Sequence, residues 1–242
     1  MDSPSPQSLS AAPSGARNVV VGAPGSGKTS VLIDRLRTLA DGGVPVDSLV
    51  MLTPSRQAAS ALRDQVGLAL ARASRGPRVR SVASLAFAIV QAGHAQQGLP
   101  PPDVLSASQI DADIHALLQG HIEDGRGPAW PEPLTPVVRE ATAFRTELRE
   151  WMARAVEAGL TPEDMRQIAQ AEDRPRWAAA ADFWDEFRLV RSSSRPASFD
   201  SAEIVARAAL LVRQECPAPF DSLVHVCVDD AMDLTIAGSG SR

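Results

Sequence analysis

A glycine-rich run near the start of the chain carries the clearest chemistry in the sequence. Residues 22–29 read GAPGSGKT and fit the pattern G-x-x-x-x-G-K-[ST]. In this pattern the backbone N–H groups of the loop surround phosphate oxygens, the lysine reaches the β- and γ-phosphates, and the hydroxyl ligates Mg²⁺. We therefore predict that the chain binds ATP together with Mg²⁺ through the loop residues Gly22, Ala23, Pro24, Gly25, Ser26, Gly27, Lys28 and Thr29.

The elements on either side of this loop are predicted to be a strand and a helix. The apolar run NVVV at residues 18–21 predicts a buried strand, and Leu32, Leu36 and Leu39 predict one face of a helix over residues 29–40. The free N–H groups at a helix N-terminus then point toward the phosphates. An ordinary glycine-rich turn is the alternative, and this order of elements makes it much the less favoured one.

A pair of acidic residues far downstream is predicted to complete the site. Residues 223–230 read LVHVCVDD, an apolar strand that ends in Asp229 and Asp230. The first carboxylate would hold Mg²⁺ beside Thr29, and the second would orient the attacking water. Acids at strand ends are common, so this signal gains its weight from the upstream loop. We predict Lys28, Asp229 and Asp230 as catalytic residues, Thr29 and Asp229 as metal ligands, and His225 as structural.

Composition bounds the remaining function classes. The chain has 242 residues, 44% hydrophobic and 22% charged, with a net charge of −5, so it lacks the basic footprint of a protein that binds nucleic acid tightly by itself. Cys216 and Cys227 are too few for a four-ligand zinc site and are predicted to be small buried side chains. Without a signal-peptide pattern or an apolar run of about 20 residues, the protein is expected to be cytoplasmic and to have no membrane partner.

The pattern of apolar residues along the chain predicts two kinds of structure. Strands at residues 49–52 and 79–82 alternate with helices at residues 56–72 and around Leu85, which favours a doubly wound α/β domain. Residues 93–103 are predicted to be a loop, and beyond them the pattern is helical up to about residue 190, with caps predicted at Ser106 and Thr161. The break at residues 192–195 precedes a last helix. The strongest stripe, predicted as one helix, is Val137, Ala141, Phe144, Leu148, Trp151 and Ala155.

These patterns predict the domain boundaries. Residues 18–100 and 199–237 are assigned to an α/β ATP-binding domain, and residues 101–198 to a helical insertion. Residues 1–17 are expected to be a disordered lead-in and residues 238–242 a flexible tail. The four tryptophans all fall in the helical insertion, where core packing is favoured over a stacking function.

The order of motifs resembles the N-terminal lobe of superfamily-one DNA helicases of the UvrD, PcrA and RecB kind. Residues 22–29 match motif I, and LTPSRQAA at residues 52–59 is similar to motif Ia. RSVASL at residues 80–85 is similar to the segment that follows, and VDDAMD at residues 228–233 stands in the place of motif II. Within this group, the sequence resembles in particular the helicase–nuclease subunits of the actinobacterial type. The resemblance implies a P-loop RecA-like parallel sheet with a helical insertion subdomain.

This resemblance implies an ATP-driven motor that tracks on single-stranded DNA, typically 3′ to 5′, in repair or recombination. Thr53, Ser55, Arg56 and Ser84 would then contact DNA, and Arg35, in the helix that continues motif I, would belong to the ATP site. A second helicase–nuclease subunit is a possible partner. The serine and threonine side chains have an equally supported alternative role as turn formers at strand ends.

Departures from the family pattern keep a second interpretation open. Pro54 and Ala83 replace an aromatic residue and a histidine, Asp230 replaces a longer glutamate, and Met232 replaces a glutamine that would contact the γ-phosphate and water. No clear glutamine motif for reading adenine precedes the loop, and the candidate Gln7 lies far upstream. Because the chain stops after motif II, it is expected to be nearly inactive alone. The alternatives are a non-catalytic nucleotide-binding or assembly module derived from such a helicase and, less favoured, an unrelated P-loop enzyme such as a kinase.

Overall fold

The chain divides into two compact units. The computed structural model describes residues 17–234. We call residues 17–93 and 211–234 the phosphate-loop unit and residues 94–210 the helical unit. The expectations for residues 1–16 and 238–242, and for Gln7, lie outside the described residues. The assignment of the units as an ATP-binding domain and an inserted subdomain, with its boundaries after residues 100 and 198, stays a prediction.

Helices and short strands alternate first, and helices then dominate. In chain order the elements are α1 (Lys28–Asp41), β1 (Leu49–Thr53), α2 (Arg56–Leu70), β2 (Val79–Ser81), α3 (Val82–Gln96), β3 (Asp103–Val104), α4 (Ala107–Asp124), α5 (Pro136–Glu140), α6 (Thr142–Glu157), α7 (Pro162–Ala171), α8 (Pro175–Ser194), β4 (Ser198–Phe199), α9 (Ser201–Gln214) and β5 (His225–Val228). Within the described residues, no helix is both long and apolar enough to cross a lipid bilayer.

A small parallel sheet organises the phosphate-loop unit. Its order is β2-β1-β5, and both outer strands run parallel to β1. All five residues of β1 are buried, as expected of a largely apolar strand that is covered on both faces. The core around this sheet comes from α1, α2 and the strands and includes Leu36, Leu39, Leu49, Met51, Val66, Leu70, Val79 and Cys227. The predicted mixed α/β character with a parallel sheet is confirmed.

The strand expected immediately before the glycine-rich loop is not present, and that prediction was wrong. Residues 18–21 take no strand assignment, and the side chains of Val19 and Val21 are 82% and 89% exposed. β5 pairs with β1 on one edge, while this segment lines a cleft along β5 without joining the ladder. A strand is defined by hydrogen bonds to a neighbouring backbone, so an apolar run by itself does not determine whether a partner lies close enough.

The helical unit has a core of rings and aliphatic side chains. Phe183 and Trp184 of α8 are 0% and 4% exposed, and Phe183 stacks on Phe187 at a centroid distance of 6.0 Å. Around them pack residues of α4, α6 and α7, including Ile114, Leu118, Leu148, Met152 and Met165. Trp130 and Trp151 pack against this core, which agrees with the predicted packing role, whereas Trp177 is 38% exposed.

Local chemistry set the ends of several helices as predicted. Ser106 and Gln109 form a capping box at the start of α4, and Thr161 and Asp164 form another at the start of α7, where Pro162 takes the first position. The predicted break at residues 192–195 was wrong for residues 192–194, which belong to α8. The hydroxyls of these serines donate to carbonyls three or four residues earlier, which keeps them compatible with a helix.

Two further features of the helical unit differ from the prediction. The single helix expected from Val137 to Ala155 is interrupted at Ala141, whose backbone is extended, and Val137 lies in the short α5 with 77% exposure. The Arg145 guanidinium donates to the Glu140 carbonyl and to Asp111, so a side chain satisfies the last carbonyl of α5 in place of a continuing helix. The paired strands β3 and β4 were also missed, because each contributes only two residues.

Candidate functional site

The glycine-rich loop adopts backbone angles that only glycine reaches easily. Gly25 and Gly27 have φ of +79° and +86°, in the left-handed region, and Gly27 precedes the first residue of α1. A Cβ atom at Gly22 would clash with the Ser26 hydroxyl. Residues 22–27 are all exposed. The loop is therefore held open at the N-terminus of a helix, where backbone N–H groups are available to an anion.

The Lys28 ammonium lies within the loop itself. Its Nζ donates to the carbonyl oxygens of Gly22 and Ala23, at 3.0 Å from each. Both acceptors are neutral, whereas phosphate oxygens are negatively charged and attract an ammonium group more strongly. An anion at the loop would therefore compete well for this side chain. The motif predicted a lysine at this place but not the two carbonyls that hold it.

The buried carboxylate of Asp229 lies directly against Thr29. The Thr29 hydroxyl donates to Asp229, with Oγ1 at 3.1 Å from Oδ1 and 3.0 Å from Oδ2. Asp229 is 6% exposed, and its backbone N–H donates to the Leu52 carbonyl at 2.9 Å, which extends the β1–β5 ladder by one residue and fixes the carboxylate. Within residues 17–234 it forms no ion pair. Residues 200 positions apart in the chain are thus brought together as the sequence predicted.

A tight turn follows Asp229 and lines the same cleft. Asp230 is exposed and has the left-handed backbone angles φ 46° and ψ 48°, which Asp tolerates better than most residues. It precedes the 3₁₀ turn Ala231–Asp233, in which the Met232 side chain is 87% exposed. The cleft has a volume of about 440 Å³, and Lys28, Asp229, Asp230 and Met232 all line it.

Arg35 lies on α1, some distance beyond the end of the phosphate loop. It follows Lys28 by seven residues, a rise of about 10 Å along a helix, and its charge acts on the neighbouring His225 and Cys227. Burial raises the pKa of the Cys227 thiol to about 11, with Arg35 opposing the shift, so the thiol is protonated at neutral pH. Burial, then Arg35, lowers the pKa of His225. Arg35 lines the cleft, and its role in binding ATP stays a prediction.

The residues expected to contact DNA lie at or just after the carboxyl ends of β1 and β2. Thr53 is fully buried and its hydroxyl donates to the Ser55 carbonyl at 2.9 Å, while Ser55 Oγ accepts from the Ala58 N–H as the N-cap of α2. The backbone N–H of Ser84 donates to the Ser81 hydroxyl, and Arg56 is exposed. The hydroxyls of Thr53 and Ser55 thus serve the turn, the alternative that the sequence left open, and the DNA contacts remain predictions.

The fold and this arrangement are those expected of a nucleotide-binding α/β protein. Parallel strands end at one edge of the sheet, and there a glycine-rich loop precedes a helix, a lysine lies in the loop and a threonine faces a buried aspartate. Residues 4–235 match the family model described as the UvrD/REP helicase N-terminal domain. This match spans nearly the whole chain, which therefore belongs to the UvrD/REP helicase N-terminal domain family. No curated protein matches the sequence.

Proposed function

We propose that this chain is the ATP-binding motor lobe of a DNA helicase that acts in repair or recombination. Family membership indicates ATP-dependent helicase activity and DNA binding in general. The specific proposal is that its α/β unit is a RecA-like lobe, that Lys28 and the loop hold the phosphates, and that Asp229 and Asp230 serve hydrolysis. Translocation from 3′ to 5′ and a second helicase–nuclease subunit as partner belong to the same proposal.

The contact between Thr29 and Asp229 carries this proposal. Burying a carboxylate costs several kcal/mol, and a hydrogen bond to a charged group returns about 1.5–3 kcal/mol. The single Thr29 proton is shared between the two oxygens of Asp229, so the carboxylate is only partly compensated. A fold that keeps such a group at the end of a strand, beside a phosphate-type loop, leaves it for a cation.

The donor set fits Mg²⁺ in particular. Hydroxyl and carboxylate oxygens are the hard ligands that Mg²⁺ prefers, and this ion commonly takes one or two protein oxygens together with phosphates and water. Thr29 and Asp229 would hold it. When bound, Mg²⁺ neutralises negative charge on the phosphates. Lys28 would exchange its two carbonyl acceptors for phosphate oxygens, and Asp230, exposed in the same cleft, would accept a hydrogen bond from water.

Calorimetric titration of the protein with Mg-ATP tests the nucleotide site. Lys28→Ala is expected to weaken binding on the order of 100-fold, because a charge-assisted contact to the phosphates is removed. Arg37→Ala is the matched control, since Arg37 is an exposed cation of the same helix that pairs with Asp34. Equal affinity of wild type and Lys28→Ala for Mg-ATP would contradict the proposal.

The DNA surface is tested separately with a fluorescent oligothymidylate. Arg56 is an exposed cation at the start of α2, and Arg63, farther along the same helix, is exposed as well. We expect Arg56→Ala to lower the affinity for single-stranded DNA severalfold and to reduce its salt dependence, since one phosphate contact is lost. If Arg63→Ala has the same effect as Arg56→Ala, the surface is not where we place it.

Met232 favours a second candidate, a module that binds nucleotide without efficient turnover. Its thioether lines the cleft and cannot donate a hydrogen bond, so it cannot hold a water or the γ-phosphate as an amide would. Asp230 is also one methylene shorter than glutamate.

We expect slow ATP hydrolysis with and without single-stranded DNA, with Asp229→Ala as the background, and faster hydrolysis in Met232→Gln. DNA-stimulated turnover of several per second in the wild type, abolished by Asp229→Ala, would exclude this candidate.

A further inference from the structure

A second cavity lies in the helical unit and belongs to no function described above. Its volume is about 680 Å³, which lies in the range of small-molecule and side-chain binding sites. We call it the tryptophan cavity, because three of the four tryptophans of the chain line it: Trp130, Trp151 and Trp177. One wall of the cavity is one face of α6. Its residues are spaced by three, one and three positions and are Phe144, Glu147, Leu148 and Trp151.

The aromatic walls of this cavity are fixed by contacts with the core. Trp130 meets Phe144 edge to face at a centroid distance of 5.4 Å, and Trp151 meets Trp184 at 6.1 Å. Ring pairs at these distances are favourable arrangements that hold each ring in place. Trp177 differs, because it is 38% exposed and stands at the start of α8. The cavity is therefore a preformed aromatic surface with one accessible ring.

That accessible ring already accepts a guanidinium group. Arg174 lies over Trp177, with its central carbon 5.8 Å from the ring centroid. This distance is within the range of cation–π attraction, and arginine on tryptophan is the favoured pair. Arg174 is the residue immediately before α8 and is itself exposed. The geometry shows that this wall takes a planar cation.

The charge of the lining selects the same ligand class. Glu132, Glu147 and Asp173 line the cavity against two cations, Arg174 and Arg176. Within the described residues, none of the three carboxylates forms an ion pair, and all three are exposed. A net negative, aromatic site attracts cations, and it repels the phosphate backbone of a nucleic acid, which proteins bind through clustered lysine and arginine.

We propose that the tryptophan cavity binds an arginine-bearing segment of a partner protein. A guanidinium is planar enough to stack on Trp177, and its fork of donors matches a carboxylate, which Glu132 and Glu147 both supply. The apolar remainder of the cavity, formed by Phe144, Leu148 and Trp151, is wide enough for neighbouring side chains of the same segment. Arg174 occupies the ring in the free protein and is displaced by the incoming arginine.

Tryptophan emission provides a direct test on the full chain. A blocked tri-arginine peptide is titrated into the protein, and a blocked tri-glutamate peptide and an oligothymidylate of eight nucleotides serve as competing ligand classes. We expect a saturable change in emission with the arginine peptide alone. If tri-glutamate or the oligonucleotide produces an equal change, or if the arginine peptide produces none, the proposal is overturned.

Variants distinguish the cavity from general attraction to an acidic protein. The double variant Glu132→Gln, Glu147→Gln should raise the Kd for the arginine peptide about tenfold, since each exposed carboxylate contributes roughly two- to fivefold. Trp177→Leu should raise this Kd roughly threefold or more. Glu123→Gln with Glu157→Gln removes the same charge outside the cavity. Arg174→Gln should lower Kd, whereas Arg126→Gln, an exposed site elsewhere in this unit, should not. Equal effects of the cavity pair and the control pair would overturn the proposal, even if every variant binds.

Discussion

A charged cluster of the helical unit and the charged residues of the candidate site are held in opposite ways. In the helical unit Arg166 donates to three carboxylates, at 2.6 Å from Glu163, 2.7 Å from Asp182 and 2.6 Å from Asp185, and these bonds raise its pKa. In the phosphate-loop unit Lys28 is held by neutral carbonyls and Asp229 by one hydroxyl. Charges that support the fold thus have partners within the protein, whereas the charges of the candidate site have been left for a ligand.

Packing shows a similar contrast. The helical unit buries Phe183, Trp184 and Phe187 in one cluster, and aromatic side chains of this size dominate the stability of a core. The phosphate-loop unit relies on aliphatic residues around three strands, and the far edge of β5 leaves Val226 53% exposed. The ring-based core thus belongs to the unit that has none of the predicted site residues, and the aliphatic core around the sheet to the unit that has all of them.

The largest effect is expected at the centre of the ring cluster. Phe183→Ala removes a fully buried ring and should lower the free energy of unfolding of the helical unit by about 3–5 kcal/mol. Thermal and urea unfolding followed by tryptophan emission reports this unit, since all four tryptophans lie in it. Leu189→Ala on the same helix is the control, because Leu189 is 68% exposed. A loss below 1 kcal/mol for Phe183→Ala would refute the picture of a ring-based core.

The next effect separates stability from binding in the phosphate-loop unit. Asp229→Asn removes a buried charge but keeps an acceptor for Thr29, so the unliganded protein should be as stable as wild type or more so. Affinity for ATP in the presence of Mg²⁺ should fall by about 10- to 100-fold, since a charge-assisted contact is lost. Calorimetry with and without Mg²⁺, beside urea unfolding, measures both. A variant that is destabilised yet binds Mg-ATP normally would reverse the comparison.

A glycine in the helical unit is expected to be nearly as sensitive. Gly127 has φ +106°, and a Cβ there would lie 2.6 Å from two ring atoms of buried His121. Gly127→Ala should therefore destabilise the unit by about 1–3 kcal/mol. Gly120→Ala is the matched control, because Gly120 is helical with open space around it and should gain about 0.5–1 kcal/mol. Similar unfolding midpoints for the two variants would contradict this reading of the contact.

The smallest effects are expected at two capping aspartates with opposite dependence on pH. Hydrogen bonds from the Thr161 hydroxyl and backbone lower the pKa of Asp164, so its contribution is present above the unfolded pKa of about 3.9 and is lost as pH falls through the lowered value. Burial, then the charge of Glu203, raises the pKa of Asp200, so its contribution is present below the unfolded pKa and is lost as pH rises through the raised value.

Each aspartate therefore serves as the control for the other. At pH 7 Asp164→Asn should destabilise the helical unit, and Asp200→Asn, which keeps the acceptor for the Glu203 N–H at 2.7 Å, should be neutral or stabilising. At a pH near 3 the difference between the variants should shrink. Urea unfolding followed by tryptophan emission measures both, and the same sign for the two changes at pH 7 would be inconsistent with the pKa directions.

The sequence predicted best what depends on neighbouring residues. The capping boxes at Ser106 and Thr161 and the helix after the glycine-rich loop follow from side chains within a few positions of each other. The predicted strand at residues 18–21 and the missed pair β3 and β4 depend on whether a distant backbone comes within hydrogen-bonding distance. No local pattern contains that information.

The candidate site shows the same limit. The motif order placed Thr29 and Asp229 together, and they are in contact. The contact of Thr53 with DNA stays a prediction. The sequence did not indicate that the Thr53 hydroxyl is buried and donates to the Ser55 carbonyl, because the letters of a motif do not say which way a side chain points. The tryptophan cavity was missed for a related reason, since its wall joins one face of α6 to residues 130–134 and 173–180.

The contact of Thr29 with Asp229 also has a consequence for synthesis on the ribosome. The two residues are 200 positions apart, so at 5–20 residues per second the second follows the first by about 10 to 40 s. Doubling the length of a loop costs only about 0.6 kcal/mol. The delay before Asp229 is synthesised is therefore a greater obstacle for the nascent chain than the entropy of closing this long loop. During that interval β1 is without β5, and its apolar edge is open to other chains. Ribosome-associated chaperones that shield extended apolar segments would protect this protein at that stage.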